Sequence, residues 1–380
     1  MLPAELCPGV TGTCIWQFRR ILQGSMNIRL YYIFLVAFAF AACVKDKPDP
    51  SGPPSDPGPG RRVLIVNEGS LGNGNGSLSV YNIDKDSIFN DVFLRKNNEL
   101  IGDVLQSATL VDNDLYLAVN NSDKILVVDK NDYSLKERIT VNKPRYMLEV
   151  GEDKLYATSL FYPEINIINT RTRKVTGKIP TDFPNTEGVT LLNGKVYVCN
   201  WDTACSYIYE IDPATDVITY RINIPGRAPQ QVMVDKDNML WVIAGNVYKG
   251  KKASLIQIDP ATRTILKSFE FPDKADVMKP VWNPTRDTLY YLAVNYDGGT
   301  DYNGVYRMAI DATALPETTF IQAQRFQYFW ALGLDPVTNK IYIGDPKGFI
   351  QKGSINLYST DGARLKTLET GIGPGFFLFE

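Results

Sequence analysis

The chain has 380 residues, 44% of them hydrophobic and 22% charged, with 40 Lys and Arg set against 42 Asp and Glu. That balance leaves no electrostatic footprint for nucleic acid or an anionic membrane surface. Histidine is absent, which excludes Ser-His-Asp and Cys-His nucleophiles and zinc sites with imidazole ligands; carboxylate-only chemistry stays open, such as calcium held by Asp, Glu and Asn.

Residues 1–25 fit no element, and Met26 is expected to be the true start. Residues 26–42 read as a secretory signal: Asn27-Ile28-Arg29 is a short basic region, and Leu30–Ala42 carries no charge. That run is shorter than the roughly 20 apolar residues a spanning helix needs. Phe40-Ala41-Ala42-Cys43 resembles the lipobox of bacterial lipoproteins, with Cys43 as the lipidated residue and Phe40 departing from the usual Leu or Val. Residues 43–61 hold six prolines between Pro48 and Pro59, mixed with Gly, Ser and Asp, the composition of an extended tether. Lys45-Asp46 and Asp49 resemble the acidic export tag of Bacteroidetes lipoproteins. These resemblances imply an outer-membrane lipoprotein exposed at the cell surface.

Residues 62–380 are built from one recurring unit, seen most clearly at Val189–Ile218. Alternation with a period of two in Lys195–Cys199 and Tyr207–Ile211 predicts strands. Asn193-Gly194 and Asp212-Pro213 predict the tight turns between them. The second strand carries an aromatic at Tyr116, Tyr156, Tyr197, Trp241, Tyr290 and Tyr342, with Leu64 standing in the first copy. The third strand ends on a turn at Asp84, Asp129, Asn169, Asp212, Asp259, Asp311 and Thr360-Asp361. A repeat of roughly 40–50 residues with four short strands is the signature of propeller blades. The expected fold is all-β: a seven-bladed β-propeller, closed by pairing the C-terminal Gly373–Phe379 with the first ordered strand, Val63–Asn67.

Cys199 and Cys205 flank a short loop in one blade. In an exported protein they are either a hairpin-spanning disulfide or two unbonded thiols. Leu71–Gly76, LGNGNG, joins two strands with no helix behind it, so it reads as a flexible hairpin loop rather than a phosphate cradle.

Loops joining second to third strands, and the starts of the innermost strands, crowd one mouth of a propeller's channel. Here those loops carry Phe161, Tyr162, Trp201, Tyr248, Tyr296, Tyr302 and Phe349. The innermost strands are expected to add Tyr146, Glu187, Gln230, Gln231, Trp282, Tyr328, Phe329 and Trp330 near their starts. Polar residues follow the aromatic strand at Asn67, Asn120, Ser159, Asn200, Asn246, Asn295 and Asp345, with Glu68 and Asp202 close by. Asn suits a strand exit because it tolerates left-handed φ, yet the same residues would ring the mouth with amides. Aromatic faces inside such a ring suit a large, flat ligand with polar edges.

The pattern Ile-Asp-Pro-Ala-Thr at Ile211–Thr215 and Ile258–Thr262, with Asn67-Glu68-Gly69 and Gly76-Ser77-Leu78-Ser79 at the start, resembles the YncE-like seven-bladed propellers and their Bacteroidetes lipoprotein branch. Its BtuG-like members bind cobalamin and pass it to a TonB-dependent outer-membrane transporter. The resemblance implies a non-catalytic protein that captures a corrinoid as ligand, not as a catalytic cofactor. Two other readings stay open: a glycan-binding or protein-interaction module of a surface uptake complex, and a calcium-dependent lactonase-like hydrolase using Glu68, Glu187, Asp202 and Asp345.

Overall fold

Seven four-stranded antiparallel sheets stand around an axis in a computed structural model that describes residues 57–296 and 303–380. The innermost strands are Pro374–Phe379 in blade 1, Leu105–Val111 in blade 2, Pro144–Gly151 in blade 3 and Thr186–Leu192 in blade 4. Those of blades 5, 6 and 7 are Pro229–Val234, Asp276–Trp282 and Ala331–Leu334. Cys43 and residues 1–42 lie outside the described residues, as do most of the tether and Tyr302. Among the described residues no helix is long and apolar enough to cross a membrane.

The closure expected from the two chain ends is present. Val63 pairs with Phe379, Ile65 with Phe377 and Val66 with Phe376, so blade 1 takes its innermost strand from the C-terminus. Arg62 and Glu380 reinforce the seam with a 2.7 Å ion pair and backbone hydrogen bonds in both directions.

Period-two strands explain why the ring has no single core. Val63 and Ile65 point toward blade 7, while Leu64 and Val66 point toward blade 2. Every blade divides its side chains this way, giving seven apolar clusters, one for each pair of neighbours. The second-strand aromatics all face the following blade. Tyr116 and Tyr156 are fully buried, and their hydroxyls reach the next blade's outer turn at the Thr170 carbonyl and at Asp216. A buried phenol needs a hydrogen-bond partner, and for these two markers the neighbouring blade supplies it.

Two blades depart from the unit. Blade 1 ends in a three-residue strand, Ser87–Phe89, and a short helix, α1 (Val92–Asn97), follows it. Phe93 from that helix fills the core between blades 1 and 2. Blade 6 ends in only Ile321–Gln322. The LGNGNG loop is tied down rather than free: Gly72 N–H donates to Asp103 at 2.9 Å, and Gly76 N–H to the Gly102 carbonyl at 2.9 Å.

The cysteines are free thiols, both buried. Register explains why they do not bridge. Val198 pairs with Tyr209, which places Ile208 opposite Cys199 and leaves Cys205 beyond the ladder. Cys205 Sγ–H donates instead to the Tyr207 carbonyl at 3.2 Å.

Candidate functional site

The innermost strands share an irregularity that shapes the channel. In blades 1 to 6 the ladder to the second strand slips near the mouth. A β-bulge leaves its extra residue unpaired and re-aims it. The residues skipped by the ladder include Gly375, Gln106, Arg145 with Tyr146, Glu187, Gln230 and Lys279. Bulging beside the strand exit in blades 1 to 5, and further along the strand in blade 6, gathers a polar set.

Those side chains bond across neighbouring blades in separate groups. Arg145 Nε donates to Glu187 Oε1 at 2.9 Å, joining blades 3 and 4, and Arg145 Nη1 donates to Gln106 of blade 2. On the other side Trp330 Nε1 donates to Glu68 Oε1 at 2.8 Å. Lys279, held at φ 52°, reaches past blade 7 to the Gly375 carbonyl at 2.9 Å and lies 5.7 Å from the Trp330 ring centroid. A Cβ at Gly375 would meet the Glu68 carboxylate, so any larger residue there would displace that side chain.

Electrostatics couple the two sides. Burial raises the Glu187 pKa, against the pull of Arg145 and Lys279. Burial lowers that of Lys279, against Glu68 and Glu187. Burial also opposes the Arg145 cation, but Glu187, Tyr146 and Glu68 outweigh it and raise its pKa. Tyr146, hydrogen-bonded to Gln231, is pushed up to about 12, mainly by burial. The formal charges of Arg145 and Lys279 balance those of Glu68 and Glu187.

Around this lining stand the aromatics. Tyr248 stacks on Tyr296 with centroids 5.6 Å apart, and Tyr296 packs on Tyr328 at 5.5 Å, a run of three rings across blades 5, 6 and 7. Asp276 lies beside it. Burial pushes its carboxyl up to about 6, and its charge helps raise the Tyr296 pKa, for which burial is the larger cause. Phe349 meets Trp330 edge-on at 5.3 Å. Phe161 and Tyr162 are exposed on the blade 3 loop, and Trp201 is anchored by its N–H to the Gly245 carbonyl at 2.9 Å.

The strand-exit amides have partners within the protein. Asn67 donates to Ser79 Oγ at 2.8 Å, Asn120 to the Pro144 carbonyl at 3.1 Å and Asn200 to the Phe183 carbonyl at 2.8 Å, and all three are buried. Asn246 caps the short turn at Val247–Lys249, and Asp202 accepts from Ala204 N–H. Asn295 N–H donates to Asn303, Gln230 reaches the Gly245 carbonyl at 3.3 Å, and Asp345 accepts from Gln327 at 2.6 Å. These groups hold the mouth's backbone in place. Trp282 corrects one expectation: it ends its strand instead of beginning it, so it lies at the opposite end of blade 6, edge-on to Trp241 at 6.1 Å. Phe329 is buried in the core between blades 6 and 7.

Sequence reading found Glu68, Tyr146, Glu187, Gln231 and Trp330 but missed Gln106, Arg145, Lys279 and Asp276. A bulge leaves no residue-type signature, so a cation inside an alternating strand reads as a solvent-facing position. Among the described residues no three His, Cys, Asp or Glu side chains gather as metal ligands.

Exposed apolar side chains are distributed unevenly. Leu71, Phe161, Tyr162, Tyr248 and Ile350 lie on second-to-third-strand loops, and Phe326 lies on the loop entering blade 7, all on the mouth side. At the other end Val337 is exposed on a turn, and Leu191, Val217, Ile265 and Leu365 are exposed on strand positions close to the turns there. Clustered exposed apolar surface marks an interaction face.

Solved propellers share the architecture. A quinonprotein alcohol dehydrogenase-like protein from Bacteroides thetaiotaomicron aligns with TM-score 0.63 at 16% identity, over 83% of this chain and 78% of its own. The periplasmic gluconolactonase of Pseudomonas aeruginosa aligns with TM-score 0.62 at 10% identity, over 84% of this chain and 98% of its own. A protein from Lactobacillus plantarum aligns with TM-score 0.61 at 11% identity, over 84% and 99%. At such identities the likeness is one of fold. No curated protein sequence matches the chain. Residues 61–374 match one family model, and the chain therefore belongs to the family described as a domain of unknown function, DUF5074.

Proposed function

We propose that this propeller is a non-catalytic binding module whose mouth captures a large, flat, polar-edged molecule, with a corrinoid as the ligand class. The observation that carries the reading is the concentration of exposed apolar side chains and stacked tyrosines on one rim, around a lining whose charges compensate internally. A lining of that kind rewards a ligand with many amide edges and no strong net charge, and the ring faces supply apolar contact. A ligand wider than the channel would rest on Tyr248, Tyr296, Tyr162 and Trp201, above Trp330, Glu187 and Arg145. In this reading the protein is anchored through Cys43, its tether holds the mouth away from the outer membrane, and a TonB-dependent transporter receives the ligand.

Isothermal titration of the mature chain with cyanocobalamin tests it. A saturable heat is expected, weakened at least about tenfold, some 1.4 kcal/mol, when Tyr248 and Tyr296 are both replaced by alanine. No heat at saturating ligand removes the corrinoid claim. The anchor is tested separately, by whether labelled lipid is incorporated in the native chain and lost in Cys43→Ala.

A further inference from the structure

The short end of blade 6 has a consequence for its neighbour. Beyond its third strand, Gly304–Ala309, the chain turns toward blade 5, where Ala312 and Leu315 pack on the core between blades 5 and 6. Lys267 holds the Ile310 and Ala312 carbonyls there at 2.6 and 3.0 Å. The outer half of blade 7's flank is left uncovered. What remains is a cleft of about 340 Å³, lined only by polar and amphipathic side chains. That volume lies at the low end of small-molecule pockets.

The composition of its floor is unusual within this ring. On the third strand, the position opposite the residue after the aromatic marker is Leu126 in blade 2, Tyr209 in blade 4, Ile256 in blade 5 and Tyr306 in blade 6. Blades 1 and 3 place Ser79 and Asn166 there, each with an internal partner, Asn67 and Ser159 respectively. Blade 7 places Asn356 there, opposite Ile343. It is 3% exposed, and its carbonyl oxygen accepts from Arg364 at 2.9 Å and Thr367 at 2.7 Å. Its Nδ2 is left to the cleft, which Ser354, also 3% exposed and one step along the same face, lines as well. The half-buried ring of Tyr358 adds a flat wall, and Lys347 and Arg364 bring cations from the two ends, against one carboxylate, Asp345, which Gln327 already engages.

We propose that the cleft between blades 6 and 7 is a second binding site, separate from the channel mouth, for a single saccharide residue. Ring oxygens and hydroxyls accept from Asn356 and Ser354, the carbohydrate face lies on Tyr358, and the surplus cation favours a sugar acid over a neutral sugar. Titration of the full chain with glucose, galactose, glucuronic acid and galacturonic acid, followed by amide chemical shifts, is the test. At least one sugar is expected to saturate, and the acid–neutral comparison reports whether Lys347 and Arg364 recognise a carboxylate. Asn356→Leu installs an aliphatic of the kind blades 2 and 5 carry, so it is expected to keep the native fold by circular dichroism while weakening sugar binding at least about tenfold. Ser354→Ala is expected to weaken it without altering the fold, and neither variant should change the cyanocobalamin titration. The proposal is overturned if none of the four sugars saturates, or if Asn356→Leu binds as tightly as the native chain.

Discussion

Asp276 offers a perturbation whose sign is unusual for a surface-proximal carboxylate. It begins the innermost strand of blade 6 beside the tyrosine run, and burial raises its pKa from 3.8 to about 6. A raised carboxyl pKa means the folded state binds more protons than the unfolded state, so stability falls as pH climbs from about 4 to about 6. A gap of about two pH units at 1.36 kcal/mol each sets an upper bound near 3 kcal/mol of destabilisation at pH 7. Asp276→Asn removes that charge, and its amide oxygen can still accept from Val277 N–H. The variant should therefore melt higher than the native chain at pH 7, by at most about 5 °C if a chain of this size gains roughly 2 °C per kcal/mol. The two melting curves should converge below pH 4, where both side chains are neutral. Differential scanning calorimetry from pH 3.5 to 8 reads both effects. A variant no more stable at pH 7, or a gain that persists unchanged at pH 3.5, would refute the burial reasoning.

Other consequences follow from the same geometry. Glu187→Gln leaves the Arg145 cation without its buried partner, and a loss of about 3 kcal/mol is expected by urea denaturation, against a smaller loss in Arg145→Met with Glu187→Gln. Trp330→Phe keeps the ring but removes the donor to Glu68, so a cost of about 1 kcal/mol should appear with the channel otherwise intact. Deleting Pro374–Glu380 strips blade 1 of its innermost strand and uncovers Val63 and Ile65; cooperative melting should disappear, as circular dichroism would report. Digestion without reductant should release the Cys199–Cys205 peptide with both thiols alkylable after unfolding, and a peptide two hydrogens lighter would contradict the register.

How far the sequence carried this depends on what makes a residue visible in it. Blade number, the aromatic marker and ring closure were legible because each follows from period-two alternation and turn chemistry, which are local. Tyr116 could be placed from its neighbours alone. Arg145 and Lys279 could not, because a bulge is a property of two strands and shifts the face on which a side chain emerges. Trp282 was misplaced for a related reason: its strand begins at Asp276, and only the pairing of Asp276 with Val294 shows which end lies at the mouth. The Asn residues at strand exits were found but their partners were not, since Asn120 bonds to the next blade, 24 residues away. Likewise, the helix after blade 1 and the truncated edge of blade 6 reflect insertions that fall outside the repeat.

The most direct measurement of the central claim is a diffraction experiment on the propeller, residues 57–380, crystallised with cyanocobalamin. Density for the corrin ring is expected over the Tyr248–Tyr296–Tyr328 run, with its amide arms directed at the channel lining of Arg145, Glu187 and Lys279. Ligand bound at the opposite end, against Trp282 or Val337, or crystals grown at saturating ligand with an empty mouth, would contradict the account.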